Sequence, residues 1–176
     1  MNRKSSGFFL LVLLSASAAQ TPSIMPRIEG QTLAGNKVVL PEAAAGKTAV
    51  LILGFTRASK TPTSDWANKI RADFGSQHRF VLYQIPVLEE VPHLLRGMVI
   101  SGIRKGVPDN QRDSFLVVVQ SESELKNFVS YREHDDAYLV ILSPDEKVAF
   151  QEHGRLGPEI YSRVKEELDL LLAGRN

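Results

Sequence analysis

The residue types that most often carry out chemistry are sparse and dispersed in this sequence. There is no cysteine, which excludes disulfide exchange, thiol peroxidase chemistry and thiolate metal sites. The four histidines lie in four separate segments, so no pair has the spacing of a helical or hairpin metal site. His134-Asp135-Asp136 has metal-ligand residue types, but consecutive loop side chains usually point apart, and we interpret it as a solvated loop. We expect neither a metal nor a cofactor.

The motifs for phosphate binding and for serine catalysis are incomplete. Residues 44–48 (AAGKT) resemble the end of a phosphate-binding loop, but Pro41 stands at the first glycine position. A strand rather than a helix is predicted after it, so the backbone amides would not cradle a phosphate. No serine lies in a Gly-x-Ser-x-Gly context, and Glu90 stands where negative charge favours a helix start. We assign no catalytic residue.

One segment nevertheless has the position of a functional site. The apolar run Ala49–Phe55 predicts a central strand that is covered on both faces. A loop, Thr56–Thr63, follows it, and then a helix that Thr63 or Ser64 caps. A loop between a buried strand and a helix is the usual place for a site in an α/β protein. This loop, however, contains no Cys, His, Asp or Glu.

The best candidates for a binding surface are Arg57, Ser59 and Lys60 in this loop, with Trp66 behind them. A helix N-terminus presents free amide groups and a positive dipole, both of which favour anions. The alternative is that Trp66 belongs to the core-facing stripe of the helix and that the loop is merely solvated.

A second candidate surface lies on the clearest amphipathic helix of the sequence, Glu90–Lys105. Its apolar residues follow the i, i+3, i+4, i+7 pattern: Val91, Leu94, Leu95, Met98, Val99, Gly102 and Ile103. Arg96, Arg104 and Lys105 fall off that stripe and could meet anionic headgroups or an acidic partner. The alternative is a solvated helix face, because surface cations are common.

The remaining elements complete an alternating order of strands and helices. The first helix should turn Trp66, Ile70 and Phe74 to the core and end at Gly75. We further predict a hairpin over Ile28–Leu40, strands over Arg79–Leu88 and Phe115–Val119, a helix from Ser121 or Ser123 to about Tyr131, a hairpin of Ala137–Leu142 and Lys147–Gln151, and a last helix over Glu159–Leu172. This alternation predicts an α/β fold with helices on both faces of one mixed sheet.

Length and composition fit one globular domain with an N-terminal export signal. A chain of 176 residues can build a real core, and a net charge of +1 gives no reason to expect a nucleic-acid partner. Arg3 and Lys4 precede the apolar run Phe8–Leu14 and a small-residue site at 16–18 (ASA), which is typical of a secretory signal peptide. We expect a signal peptide of residues 1–18 or 1–19, one domain over 20–176, and a periplasmic or outer-face location. An uncleaved membrane anchor is the alternative.

The order of elements resembles the thioredoxin-like fold, in the branch of exported thiol reductases and peroxiredoxins with an N-terminal hairpin and a strand–helix insertion. Gly46-Lys47 before the central strand and a hairpin-Gly-helix ending carry this resemblance. In those families the loop after the central strand holds Cys-x-x-Cys or one peroxidatic Cys, whereas residues 56–61 here read TRASKT. The cis-proline before the closing hairpin is also missing from residues 134–137 (HDDA). The resemblance implies a three-layer sandwich with a mixed sheet, without thiol activity.

The sequence is also similar to the mitochondrial ATP-synthase assembly chaperones of the membrane sector, which are thioredoxin-like. The matching features, within residues 26–165, are Gly46-Lys47, Gly54-Phe55, Ser64-Asp65-Trp66, Leu94-Leu95-Arg96, Arg104 with Pro108, Phe115-Leu116-Val117, Ala137-Tyr138-Leu139-Val140 and Gly154. This resemblance implies a protein that binds a hydrophobic client. That family acts from the mitochondrial matrix side, whereas this chain has the pattern of an exported protein.

Three functions are compatible with these observations. The first is a redox-inactive thioredoxin-like binding or assembly protein, with a protein partner, a peripheral membrane contact, and Arg57, Lys60, Arg96 and Arg104 near its contact surface. The second is an enzyme or small-ligand carrier that uses the same loop with non-thiol groups. The third is a decayed peroxiredoxin with no role beyond stability. A deep polar pocket beside Arg57 would favour the second function, and a flat or apolar surface there would favour the first.

Overall fold

The elements of the chain are arranged around one buried strand. The computed structural model describes residues 24–174, so the predicted signal peptide of residues 1–18 or 1–19 lies outside the described residues. In chain order the elements are β1 (Ile28–Thr32), β2 (Lys37–Leu40), β3 (Thr48–Gly54), α1 (Lys60–Phe74), β4 (Phe80–Pro86), α2 (His93–Gly106), β5 (Leu116–Val117), α3 (Glu122–Phe128), β6 (Ala137–Leu142), β7 (Val148–Gly154) and α4 (Pro158–Leu172).

β3 is the central strand, and all seven of its residues are buried. It pairs in parallel with β4, with Thr48 opposite Phe80, and antiparallel with β6, with Ala49 opposite Leu142. β7 pairs with the far side of β6, which gives the strand order β4-β3-β6-β7. An unbroken apolar run is what a strand covered on both faces requires. The predicted central strand is confirmed, shifted by one residue.

The N-terminal hairpin forms a smaller sheet that adjoins the central one. β1 pairs antiparallel with both β2 and β5, in the order β2-β1-β5. Two parallel bridges connect the sheets, with Gln84 opposite Phe115 and Val87 opposite Val118. The predicted hairpin is therefore confirmed, whereas the predicted strand over residues 115–119 is reduced to the two residues of β5.

Helices cover the central sheet on both faces. On one face, Trp66 of α1 shares a buried cluster with Ile52 and with the apolar residues of α4. On the other face, Leu125 of α3 shares a buried cluster with Leu53 and with the N-terminal hairpin. Because successive residues of a strand point to opposite faces, neighbouring residues of β3 belong to the two different clusters. The predicted mixed sheet with helices on both faces is confirmed.

α1 has the predicted core face but begins earlier than predicted. Its core stripe is buried, at Trp66, Ile70 and Phe74. The helix ends with Gly75 as its C-cap, as predicted, but its first residue is Lys60 rather than a residue near Thr63. The predicted loop of eight residues is therefore a turn over residues 56–59. The helical hydrogen bonding begins earlier than predicted, because the Thr63 amide donates to the Ser59 carbonyl at 3.0 Å. The N-cap residue is therefore Ser59, and the predicted cap at Thr63 or Ser64 is wrong.

The predicted core-facing stripe of α2 is wrong for half of its length. Ile100 and Ile103 pack against a small buried cluster that includes Phe115. In contrast, 93% of Leu94 and 74% of Met98 are exposed, and no residue of the helix is fully buried. The apolar residues of α2 extend around more of the helix than the side that packs against the protein. Within residues 24–174 no helix is both long enough and apolar enough to cross a membrane.

Two helix ends also differ from the prediction for local backbone reasons. α2 begins at His93 rather than Glu90, because Pro92 has an extended ψ of 134° and stands outside the helix. α3 ends at Phe128 rather than near Tyr131, because Ser130 has a φ of 51° that turns the chain out of the helix.

Candidate functional site

The carboxyl end of β3 leads into a turn that its own side chains close. Thr56 Oγ1 accepts hydrogen bonds from the amides of Ala58 at 3.1 Å and Ser59 at 3.3 Å. Ser59 Oγ donates to the Thr56 carbonyl at 2.8 Å and accepts from the Thr56 amide at 3.4 Å. These reciprocal bonds satisfy the amides of the turn itself, whereas Ser59, the N-cap residue of α1, makes no capping hydrogen bond to the helix with its side chain.

The turn is packed tightly between β3 and the segment before β6. A Cβ atom on Gly54 would lie 2.7 Å from Ser59 Oγ and 3.0 Å from Thr63 Cγ2, so glycine is required beneath the turn. Thr56 Oγ1 donates to the His134 carbonyl at 2.5 Å and so ties the turn to that segment. Ser59 is only 1% exposed. Of the three loop candidates, Arg57 and Lys60 are therefore the accessible ones.

Trp66 lies in the core and not at the surface of the turn. Its side chain is fully buried, and the indole N–H donates to the Gly154 carbonyl at 3.0 Å. A buried indole needs such a partner, because an unpaired N–H in the core is costly. Trp66 therefore connects α1 to the end of β7, and its side chain contributes no exposed surface to the candidate site.

Arg96 and Arg104, the two candidate binding residues on α2, lie in different environments. Arg96 donates to the Val91 carbonyl at 2.9 Å and to the Glu89 carbonyl at 2.7 Å, so it holds the segment before the helix. Arg104 is exposed near the C-terminal end of α2. The structure thus places Arg57 and Lys60 next to each other at the start of α1 and leaves the α2 cations on another element.

An aromatic cluster that the sequence did not reveal lies next to the turn. Phe55 packs edge-on against Tyr131 and Tyr138, with ring centres 5.2 Å and 5.6 Å apart, and the two tyrosines stack at 5.4 Å. The Tyr138 hydroxyl accepts hydrogen bonds from the amides of Arg132 and Glu133, both at 2.9 Å. The rings come from three separate segments, so no local spacing indicates their contact.

Lys126 connects this aromatic cluster to two carboxylates. Its Nζ lies 5.0 Å from the ring centre of Tyr131, 2.9 Å from Glu90 Oε1 and 2.7 Å from Glu122 Oε1. Glu122 is buried, a position that a carboxylate occupies only with a partner. The hydrogen bonds that the Lys126 ammonium donates to Glu122 and then to Glu90 raise the pKa of Lys126, and Lys126 in turn lowers the pKa of Glu90.

The carboxylates of Glu89 and Glu122 join the start of α3 to the segment that follows β4. Glu89 Oε2 accepts a hydrogen bond from the Glu122 amide at 2.5 Å, and Glu122 Oε2 accepts one from the Glu90 amide at 3.3 Å. Glu90 therefore belongs to this junction. The expectation that it lies at the start of α2 is wrong, because that helix begins at His93. The Glu122–Lys126 pair has i, i+4 spacing and was readable from the sequence, whereas the other contacts depend on the fold.

The cluster His134-Asp135-Asp136 is divided among different partners. Asp136 Oδ2 lies 2.9 Å from His153 Nδ1, and Asp135 accepts a hydrogen bond from Arg155 at 2.6 Å. Arg155 lowers the pKa of the Asp135 carboxyl. Over residues 24–174, no group of three or more histidine, aspartate or glutamate side chains is arranged to hold a metal ion.

These contacts determine what the turn can do chemically. The hydroxyl groups of Thr56 and Ser59 are engaged in the structure of the turn, and Ser59 is buried. The accessible groups are the cationic side chains of Arg57 and Lys60, and neither forms an ion pair with another described residue. The arrangement is therefore suited to contact acidic or anionic groups.

Comparison with solved structures identifies the fold. The thioredoxin domain of a thiol-disulfide oxidoreductase from Bacteroides vulgatus matches with a TM-score of 0.57 and 18% identity, over 85% of this chain and 98% of that one. The exposed lipoprotein thioredoxin Etrx1 from Streptococcus pneumoniae has a TM-score of 0.57 and 15% identity, over 80% and 99%. BsSco, a member of the Sco family of cytochrome c oxidase assembly proteins, has a TM-score of 0.55 and 18% identity, over 83% and 94%.

The chain therefore has the thioredoxin-like fold, and the predicted fold class is confirmed. No protein-family model matches the sequence, and no curated protein matches it either. Two of these three structures are described as thioredoxins, whereas this chain has the same fold and no cysteine.

Proposed function

We propose that this chain is a redox-inactive thioredoxin-like binding protein that assists the assembly of a membrane complex. The observation that supports this proposal is the turn over residues 56–59. In the thiol families that the sequence resembles, the loop at this position carries cysteine, whereas here Thr56 and Ser59 fill it with reciprocal hydrogen bonds. The fold is kept, and a closed turn stands where the reactive group would be. The two exposed cations Arg57 and Lys60, here called the rim cations, are left for a partner.

The contacts around the turn favour a binding surface over a catalytic pocket. A small-ligand enzyme or carrier would need a polar pocket beside Arg57. The polar groups of the turn are engaged instead with one another and with the His134 carbonyl. Arg57 itself is exposed. An exposed cationic rim fits a protein partner with an acidic or polar surface.

The client we propose is the membrane sector of ATP synthase, on the periplasmic or outer face of a membrane. The ordered sequence resemblance to ATP-synthase assembly chaperones supports this client. BsSco, an assembly protein for another membrane complex, has the same fold. The signal-peptide pattern of residues 1–19 supports export, and Etrx1 is an exposed lipoprotein with this fold.

Crosslinking and mass spectrometry on native membranes test this proposal. The tagged protein is compared with a variant that reverses both rim cations, Arg57→Glu/Lys60→Glu. The matched control is Lys37→Glu/Lys47→Glu, which makes the same charge change at two exposed lysines that precede β3 in the chain. We expect ATP-synthase membrane subunits to be recovered with the unmodified protein and the control, and to be lost with the rim variant.

Other outcomes separate the parts of the proposal. Recovery of a different partner, again lost only in the rim variant, would retain the binding function and reject the ATP-synthase client. Equal recovery with the rim variant would reject the turn as the contact surface. A protein that crosslinks to nothing would reject the binding function.

A further inference from the structure

The outer face of α2, formed by Leu94, Leu95 and Met98, is the most apolar exposed surface of the described chain. Leu94 is 93% exposed, Met98 74% and Leu95 48%. Side chains of this size are normally withdrawn from water when they lie next to one another. Leu94 and Met98 are four residues apart, so they project from the same side of the helix one turn apart.

The inner side of the helix packs against the protein. Ile100 and Ile103 pack against the cluster of Leu33, Val107, Phe115 and Val117. Arg96 fixes the entry to the helix through hydrogen bonds to two carbonyl groups. Turning Leu94 and Met98 inward would therefore break contacts that already exist.

The charges of α2 favour an anionic partner. None of its fourteen residues is acidic, whereas Arg96, Arg104 and Lys105 are cationic. Lys105 is eleven residues after Leu94 and seven after Met98, so it lies on the same side of the helix as these two residues, and the expectation that it falls off the apolar stripe is wrong. Arg104 and Lys105 are exposed, and neither forms an ion pair with another residue in the range 24–174. Apolar side chains with neighbouring cations and no carboxylates are the pattern of a helix that lies in a membrane interface.

We infer that the outer face of α2 docks on a bilayer that contains anionic lipid. Leu94 and Met98 insert between the headgroups, and Arg104 and Lys105 contact lipid phosphates. The helix lies parallel to the bilayer surface, with its packed side towards the protein. The inference does not depend on the identity of the client or on the rim cations at the turn.

The absence of cysteine allows a local test on the full chain. A single cysteine introduced by Met98→Cys is labelled with an environment-sensitive fluorophore, and the control carries the label at Leu170→Cys, an exposed leucine on α4. Both proteins are mixed with protein-free vesicles of phosphatidylcholine alone or with one-third phosphatidylglycerol. Spin-labelled lipid provides a second readout of depth. Because both proteins contain residues 1–23, any binding by that segment is common to them.

We expect the label at position 98 to shift to the blue and to be quenched by spin-labelled lipid in anionic vesicles, while the label at position 170 does neither. Adding Arg104→Glu/Lys105→Glu should weaken the response at position 98 at least about tenfold, since each cation near an anionic surface contributes measurably. No shift at position 98 would overturn the inference, as would equal shifts at both positions. A shift that requires native membranes containing protein would also overturn it and would assign the face to a protein partner.

Discussion

The turn over residues 56–59 and the outer face of α2 use their chemical groups in opposite ways. In the turn, the hydroxyl groups of Thr56 and Ser59 are bonded within the protein, and the charged side chains of Arg57 and of the adjoining Lys60 reach the solvent. On α2, the polar contacts of Arg96 fix the helix, and apolar side chains are left in water. The first region is a completed local structure, whereas the second has surface that nothing in the described chain covers.

The turn should therefore contribute mainly to the stability of the fold, whereas the outer face of α2 should contribute mainly to binding a partner. Groups that are buried and bonded should be costly to change, even where they lie at the position of an active site. Groups on α2 should cost almost nothing to change in the isolated protein. The predictions below test this separation, beginning with the largest expected loss of stability.

Truncation of the tryptophan beneath the turn should have the largest effect. Trp66→Ala removes a fully buried side chain and leaves the Gly154 carbonyl without its donor. We expect a loss of about 4 kcal/mol in the free energy of unfolding, measured by urea denaturation with circular dichroism. Leu156→Ala, at a partly exposed leucine, is the control and should change stability by less than about 1 kcal/mol. Equal effects would show that the core assignment of Trp66 is wrong.

Removal of the Lys126 ammonium should have the next largest effect. Lys126→Met leaves the buried Glu122 carboxylate without its cation, and we expect a loss of about 2 kcal/mol at pH 7. Lys165→Met, which breaks the exposed i, i+4 pair with Asp169, should cost less than about 0.5 kcal/mol. The double variant Glu122→Gln/Lys126→Met should recover most of the loss, and failure to recover would contradict the assigned pairing.

The pH dependence of the Lys126 effect follows from the direction of its pKa. Its folded-state pKa is raised, so the stabilisation is fully present below the ordinary value of 10.5 and is lost as the pH rises through the raised pKa. The pKa of Glu90 is lowered, so its contribution is present above its ordinary value of 4.5 and is lost as the pH falls through the lowered pKa. The stability difference between the unmodified protein and Lys126→Met should therefore shrink at both extremes of pH.

Loss of the Thr56 hydrogen bonds that close the turn should have a smaller effect on stability than the changes at Trp66 and Lys126. Thr56→Val keeps the shape of the side chain but removes two accepted hydrogen bonds and the bond donated to the His134 carbonyl. We expect a loss of about 1 to 2 kcal/mol and faster amide exchange at Ala58 and Ser59. Thr61→Val, an exposed threonine in the first turn of α1, is the matched control and should leave both measurements almost unchanged.

The contribution of the Asp73–Tyr161 hydrogen bond to the free energy of unfolding should depend on pH. Hydrogen bonds from Tyr161 and then Lys69 lower the pKa of the Asp73 carboxyl, so the stabilisation is present above its ordinary value of 3.8 and is lost as the pH falls through the lowered pKa. Tyr161→Phe should therefore be less stable than the unmodified protein at pH 6, with a difference that narrows in acid. Tyr83→Phe, at a half-buried tyrosine, should show no narrowing below pH 4.

The sequence was sufficient for the parts of the fold that depend on local patterns. The apolar run of β3, the spacing of Trp66, Ile70 and Phe74, and the glycine after α1 each carry their structural meaning within a few residues. These patterns placed the central strand and the first helix. The position of the candidate site could be predicted with them, because it follows from where β3 ends.

The contents of the site depended on contacts between distant segments. Phe55, Tyr131 and Tyr138 meet because β3, β6 and the end of α3 converge, and Lys126 meets Glu90 across 36 positions of the sequence. The N-cap position of Ser59 was missed because Thr63 and Ser64 are equally good N-cap residues by type. The exposure of α2 was missed because an apolar stripe indicates an amphipathic helix without showing what covers it.

The smallest predicted effect on stability is the one that most sharply distinguishes the two regions. If the stripe of α2 were covered by the fold, replacing two of its large apolar side chains would cost several kcal/mol. Because Leu94 and Met98 are exposed, we expect Leu94→Ser/Met98→Ser to change the free energy of unfolding by less than about 0.5 kcal/mol. Ile103→Ser, on the packed side of the same helix, should cost clearly more. A large loss in the double variant would mean that this face is covered within the full chain, and the comparison with the turn would then fail.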